Sequence, residues 1–452
     1  MRPKTVICIC HNYPASKVTG IKHPASVIKK ILIISPHFPP SNLAAVHRSR
    51  LFAQHLPSFG WEPIILTVHE NYYEEALDHN LEKLLPADLR IEKVKAFSIT
   101  KPRLIGDIGL RAFFQLHKRA KQLIQSEKID FLYIPIPSFY CALLGRWLNK
   151  SNGIKYGIDY IDPWVHHFPG SKKIFSRHWF STKIAGLLEP VAVKKASLVT
   201  GVAEGYYKGV LERNSHLQKK IISGAMPYGG EEKDHQFVEQ LSLKPYLFQK
   251  KQGIIQFVYA GAMLPKAYLP LEKIFAGLQK QHELCKKIEF HFIGTGRLAN
   301  NSDSYTIKDL AEKYQLWQTT VYEYPPRIPY LDVLVHLSHA SAIFIIGSTE
   351  PHYTPSKTYQ AVLSAKPILA VLHNQSTAVE VITASNAGMV LAFEGEAGLQ
   401  KIEDNFTGIL TKFIDWVKLF DPADVNKEIF EKYSAKNITH TLSELINEAV
   451  AK

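Results

Sequence analysis

The chain has 452 residues, of which 46% are hydrophobic, 11% aromatic and 21% charged; that is enough apolar side chain for two ordinary cores and too little charge for a disordered chain. The net charge of +13 lies wholly in residues 1–230, which hold 32 Lys and Arg against 16 Asp and Glu, while the remainder holds 22 against 25. Four scattered cysteines (Cys8, Cys10, Cys141 and Cys285) argue against a disulfide framework or a thiolate metal site and fit a reducing, cytoplasmic setting.

In chain order, apolar runs alternate with amphipathic helical stretches, which predicts parallel α/β units. The first thirty residues stand apart. KTVICICHNYPAS from Lys4 is a faint copy of KKILIISPHFPPS from Lys29, and residues 1–28 read as an extension of a domain that begins at residue 29. Ile31 to Ser35 reads as a buried strand, Leu43 to Phe59 as a helix ended by Gly60, and Pro63 to Val68 as the next strand. Further strands are expected at Ile129 to Pro135, Lys155 to Tyr160 and Leu198 to Val202. Gly, Pro and charge gather in MPYGGEEKD, Met226 to Asp234, the expected linker. A second α/β series then follows, with strands at Ile255 to Tyr259, Ile288 to Ile293, Thr320 to Tyr324, Ala342 to Ile346 and Pro367 to Val371, and a closing helix over Val425 to Lys452.

No secretory signal and no spanning segment are expected. The apolar core Val6 to Cys10 is too short, and Phe131 to Leu144 is interrupted by Pro135 and Pro137 and falls short of ~20 residues.

Two segments carry a family resemblance: ILIISPHFPPSNLAAVHRSRLFAQHLPSFGWEPIILT from Ile31 and EPHYTPSKTYQAVLSAKPILA from Glu350. The first resembles the opening strand, loop and helix of retaining glycosyltransferases of family four, and the second resembles that family's donor-site segment. YAGAML at Tyr259 and FIGTG at Phe292 stand where the family has its glycine turns, and GIDYIDPWV at Gly157 is similar to a strand-end motif of some members. The resemblance spans roughly residues 29–430. It implies the GT-B fold, two Rossmann-like domains facing a cleft: an acceptor domain over 29–228, a nucleotide-sugar donor domain over 229–430, and a C-terminal helix over 431–452 near the interface. It also implies transfer of a sugar from a nucleotide diphosphate sugar to a saccharide or lipid-linked acceptor in surface polysaccharide or glycolipid synthesis. No metal or other cofactor is required.

Without a metal, cations and helix N-termini must carry the charge of the leaving diphosphate. Lys357, after Pro355-Ser356 at an expected helix start, is the first candidate, and Lys266, after the Gly261 turn, matches a lysine that the family sets against the diphosphate. Met263 replaces a basic residue there. The family's paired glutamates are replaced by Gln360 and His352, with Glu350 two residues before the latter. Gln360 still offers a donor and an acceptor to hydroxyls, and Glu350 or His352 is left to meet the sugar. Gly294 and Gly296 follow a buried strand and admit either nucleotide backbone contact or a plain turn. Arg327, in YPPRIPY, reads as structural, with the base or phosphate as its alternative ligand.

On the acceptor side, Ser41 and Asn42 occupy the place of a Gly-rich loop, with Asn42 read as a helix N-cap. His47 and Arg48 follow on the helix and face either cleft or solvent. Asp162 lies just past a strand end, the usual site address in open α/β sheets, and Asp162 or His166 is expected to help an acceptor hydroxyl lose its proton.

Two stretches combine basic and aromatic residues, Lys101 to Lys121 and His166 to Lys183. Both suit an anionic membrane surface, and both, the first more than the second, also suit an amphipathic helix whose aromatics enter the domain's own core. No nucleic-acid motif accompanies the charge. Two competing readings remain: a catalytically weakened GT-B binding or scaffold protein, suggested by Gln360 and Met263, and a sugar-nucleotide epimerase, for which the donor segment lacks acid and base groups.

Overall fold

The computed structural model describes residues 28–100, 105–165, 174–217, 220–297 and 301–452. The expected extension, residues 1–28, lies outside them except for its last residue.

Seven strands form the first sheet: β1 (Lys29–Ile34), β2 (Trp61–Val68), β3 (Arg90–Val94), β4 (Phe131–Ile136), β5 (Tyr156–Tyr160), β6 (Leu198–Gly201) and β7 (Ile222–Ala225). They are parallel, in the order β3-β2-β1-β4-β5-β6-β7. Six more form the second: β8 (Ile255–Ala260), β9 (Ile288–Ile293), β10 (Val321–Tyr324), β11 (Ala342–Ile346), β12 (Ile368–His373) and β13 (Gly388–Phe393). They too are parallel, in the order β10-β9-β8-β11-β12-β13. In each sheet the order reverses beside the first strand, and a crevice opens there at the carboxyl ends of the strands.

The interior strands are mostly apolar because both faces are covered, with buried polar exceptions such as Asp159 in β5 and Glu289 and His291 in β9. Ile31 to Ile34 are wholly buried, with Leu32 and Ile34 in one core layer and Ile31 and Ile33 in the other. Helices α1 (Ala44–His55), α2 (Phe113–Glu127), α3 (Ala142–Asn152), α4 (Arg177–Val193) and α5 (Glu204–Arg213) belong to the first series. The expected first helix is shorter than its apolar pattern: α1 stops at His55, Leu56–Phe59 tightens into a 3-10 turn, and Gly60 closes it in the left-handed conformation (φ 78°).

Helix α6 (Glu232–Gln240) leaves the linker, and α7 (Tyr268–Gln279), α8 (Tyr330–His339), α9 (Lys357–Leu363) and α10 (Leu399–Val417) serve the second sheet. The terminal helix α11 (Ala435–Ala451) returns to the first sheet and packs on α1 and β7. On the way, Gly230 N–H donates to Tyr433 O (2.9 Å) and Ala435 N–H donates to Gly230 O (2.7 Å), so the returning chain is hydrogen-bonded to the linker.

The first basic stretch is an amphipathic element over its described part. Phe113 enters the core, Phe114 stays outside, and Arg111 is buried, donating to Phe97 O and Tyr72 O. Among the described residues no helix is long and apolar enough to cross a membrane.

Candidate functional site

A cavity of about 350 Å³ opens where the carboxyl ends of the two sheets meet. The loop after β1 and helix α1 supply Asn42 and His47, the loop after β5 supplies Asp162, and the linker supplies Tyr228. From the second series come Gly261 after β8, Arg327 and Ile328 after β10, and Ser356, Lys357 and Gln360 around the start of α9. Another hollow of about 340 Å³ lies by His282, Cys285 and Thr320. It sits at the opposite ends of β9 and β10, and no unpartnered buried polar atom lines it.

Lys357 dominates the electrostatics of the cavity between the sheets. Its Nζ is buried, has no hydrogen-bond partner among the described residues and stands 3.7 Å from the Tyr259 ring centroid. Gly261 makes room for it: a Cβ at that position would come within 3.2 Å of Nζ, and the backbone there has φ 111°, which L side chains rarely adopt. Burial lowers the pKa of Lys357 from the ordinary lysine value to about 7. A desolvated ammonium without a counter-ion is a seat for an anion, because pairing recovers what desolvation costs.

Two further buried atoms without partners line the same cavity, Asn42 Oδ1 and His47 Nδ1. The N-cap of α1 is Leu43, in extended backbone and with no side-chain cap bond. This corrects the expected capping role of Asn42, whose side-chain oxygen is instead an unused acceptor. The His47 ring lies 4.1 Å from that of Tyr330, and burial, then the charge of Arg50, lowers its pKa to about 3. His47 is therefore an uncharged imidazole at neutral pH.

Arg48 also borders the cavity, but its guanidinium is already engaged. It grips Asp159 at 2.5 and 3.0 Å and donates to Met226 O and Pro227 O at 2.9 and 3.0 Å. Two turns of α1 repeat the pattern. Arg50 binds Asp234, which also accepts from Tyr330 OH (2.8 Å), and His55 meets Glu231. One helix of the first sheet thus fixes linker residues 226–234 through three buried charged or polar groups.

The remaining expected residues lie as follows. Gln360 is at the cavity, with Oε1 2.9 Å from His235 Nε2; burial lowers the pKa of His235, so the neutral ring donates and the two N–H groups of the Gln360 amide remain as donors. Asp162 is exposed at the rim, and its charge, after burial, raises the Tyr353 phenol. Lys266 and Glu350 pair with each other at 3.7 Å outside the cavity lining. His352 packs against the first half, its ring 5.2 Å from Tyr206 and its Cβ 2.5 Å from where a Cβ on Gly205 would sit. Gly294 neighbours Arg327 and Gly261 behind the wall, whereas a Cβ at Gly296 would strike Pro325 O at 2.7 Å, which makes that glycine a packing requirement. His166 lies outside the described residues. Among the described residues no three His, Cys, Asp or Glu side chains are grouped for a metal ion.

Sequence reasoning passed over Tyr259, Tyr228, Tyr330 and His235. Tyr228 beside the Gly229-Gly230 pair, Tyr259 at the head of YAGAML and Tyr330 at the end of YPPRIPY each had a local signal. His235 reaches the site only through the fold.

No family model matches the chain, and no curated protein matches it. Solved structures do. A glycosyltransferase from Rickettsia africae is 14% identical with a TM-score of 0.59, the match covering 93% of this chain and 98% of that one. Sucrose-phosphate synthase from Thermosynechococcus elongatus is 14% identical with a TM-score of 0.61, over 94% and 99%. Anabaena HepE, in a complex with UDP and glucose, is 14% identical with a TM-score of 0.60, over 93% and 100%. The likeness runs through both sheets, and the chain has the GT-B fold.

Proposed function

We propose that this chain is a glycosyltransferase that moves a sugar from a nucleotide diphosphate sugar to an acceptor hydroxyl, in the cavity between the sheets. One observation carries the reading: three buried polar atoms without partners among the described residues, Lys357 Nζ, Asn42 Oδ1 and His47 Nδ1, face one cavity from both halves. Buried polar atoms are normally satisfied, so the set calls for a ligand with an anionic part at Lys357 and hydroxyl groups at Asn42 and His47. A nucleotide sugar supplies both. Open α/β sheets take such ligands at the carboxyl ends of their strands, and Anabaena HepE, which has a similar fold, is a complex with UDP and glucose; both support the reading.

In this reading residues 29–228 are the acceptor domain and 229–430 the donor domain. The bond between the anomeric carbon and the diphosphate oxygen breaks, the electron pair leaves on the diphosphate, and the Lys357 ammonium stabilises it. Gln360 donates its amide to ribose or sugar hydroxyls. Asp162 stands at the rim to take or orient the acceptor proton. We assign retention of anomeric configuration and a saccharide or lipid-linked acceptor on the resemblance described above.

A thermal-shift screen against common nucleotide sugars tests the donor, since a ligand of the native state raises the melting temperature. No shift with any of them, and none with UDP or GDP, would overturn the reading. The anomer formed, followed by proton NMR, tests retention. A binding protein without turnover is the second reading. It is favoured by Gln360 in the place of a glutamate, with its oxygen held by His235. Saturable binding without hydrolysis or transfer would establish it.

A further inference from the structure

Helix α4 is apolar on two opposite faces. Ala185, Ala192 and Val193 enter the core of the first sheet. On the other side Phe180, Ile184, Leu187 and Val191 recur at i, i+4, i+7 and i+11 and stand exposed, Leu187 by 74%. At 3.6 residues per turn these four form one stripe along the outside of the helix. Ile174 and Phe175, just before the helix, are 65% and 77% exposed, and the Phe175 ring lies 6.2 Å from that of Phe180. Scattered apolar side chains are ordinary on a protein surface, but a continuous row needs a partner.

The charge around the stripe identifies that partner. Arg177, Lys183, Lys194 and Lys195 are all exposed; the helical repeat puts Arg177 and Lys183 on the flanks of the stripe, and Lys194 and Lys195 follow in the turn at its C-terminal end. The helix has one carboxylate, Glu189, which is buried on the inward face and bound by Arg213 at 2.9 Å. A second copy set against this face would oppose cation to cation, since a two-fold contact uses the same patch twice. An apolar interior beneath an anionic surface meets both features, and a bilayer containing acidic lipids has that composition.

We propose that α4 lies in the plane of an anionic bilayer, with Phe175, Phe180, Ile184, Leu187 and Val191 in the acyl boundary and the flanking cations at the headgroups. The attachment is interfacial. It stands independently of the donor reading.

Flotation of the full chain with vesicles tests it, using phosphatidylcholine alone and phosphatidylcholine mixed with phosphatidylglycerol, each at low and high salt. The wild type should float with the anionic vesicles, much less with the neutral ones, and come off as salt rises. Ile184→Glu with Leu187→Glu, both at exposed positions, should lower the bound fraction about tenfold or more, as should Lys183→Glu with Lys194→Glu. Leu419→Glu, on another exposed apolar residue, should change nothing. Equal binding to neutral and anionic vesicles, or unaltered flotation of the two double variants, would overturn the proposal. So would a wild-type dimer that becomes monomeric in Ile184→Glu/Leu187→Glu without ever binding vesicles. If that variant melts lower than the wild type, Phe180→Trp decides: its emission should move to the blue with anionic vesicles, and an unmoved spectrum refutes insertion.

Discussion

Lys357 Nζ stands 3.7 Å from the centroid of the Tyr259 ring, with no hydrogen-bond acceptor of its own among the described residues. The two residues come from separate strand–helix units, β8 and the start of α9. The negative face of the ring stands in for a counter-ion and holds the ammonium in the cavity until an anion arrives.

Removing the cation should remove the stabilisation of the leaving diphosphate. Lys357→Ala is expected to lower kcat by ~10²-fold or more, measured with the donor found by thermal shift. Tyr259→Phe, which keeps the ring, should leave kcat near wild type. Equal turnover in Lys357→Ala and wild type would exclude Lys357 from the chemistry.

A pKa of about 7 for Lys357 in the empty cavity couples donor binding to a proton. The bound diphosphate favours the charged amine, so the pKa rises on binding and the protein takes up a proton above pH 7. Donor affinity should therefore fall as pH rises from 7 towards 9. Titration calorimetry at pH 8, in buffers of different ionisation enthalpy, should show uptake in the wild type and none at this site in Lys357→Met. Stability runs the other way and rises with pH. Because the folded-state pKa is depressed, the stability cost of burying Lys357 is full below pH 7 and fades towards the ordinary lysine pKa. The difference between wild type and Lys357→Met should shrink over that window.

The Arg48–Asp159 pair is buried on both sides. Breaking it from the acid side leaves a guanidinium enclosed and also strips Thr200 Oγ1 of its acceptor. Asp159→Ala should cost about 3–5 kcal/mol in urea denaturation. Adding Arg48→Met to Asp159→Ala should recover part of that loss, since no unpaired charge then remains. A loss below about 1 kcal/mol would mean that the pair behaves as a surface ion pair.

Gly261→Ala tests the space beside Lys357. The new Cβ would crowd Nζ at 3.2 Å and sit on backbone with φ 111°. The side chain can yield, so the fold should persist with a modest loss of about 1–2 kcal/mol. Donor affinity should drop more than kcat, because the cation is displaced rather than deleted. Unchanged affinity would separate the Gly261 turn from the anion seat.

The sequence determined by itself what local chemistry dictates. Ten strands were legible, most clearly interior ones whose two covered faces demand a largely apolar run, as in Ile31 to Ile34 and Ala342 to Ile346; the edge strand β10 was legible too. The strands it did not reveal, β3, β7 and β13, all lie at sheet edges. There one side is less covered and the pattern loosens, as in RIEKV of β3. Lys357 was legible because a lysine after a strand, a Pro-Ser turn and a helix start is a local arrangement. Its missing counter-ion was not legible, because burial and the Tyr259 ring come from an element 98 positions earlier in the chain. Arg48 shows the same limit from the other side. Helical periodicity left it open to cleft or solvent, and only the sheet order that sets Asp159 beneath α1 commits it to the interior. Tertiary structure decided which polar groups find partners inside the chain and which are left for a ligand, because hydrogen-bond satisfaction depends on residues that strand order brings together.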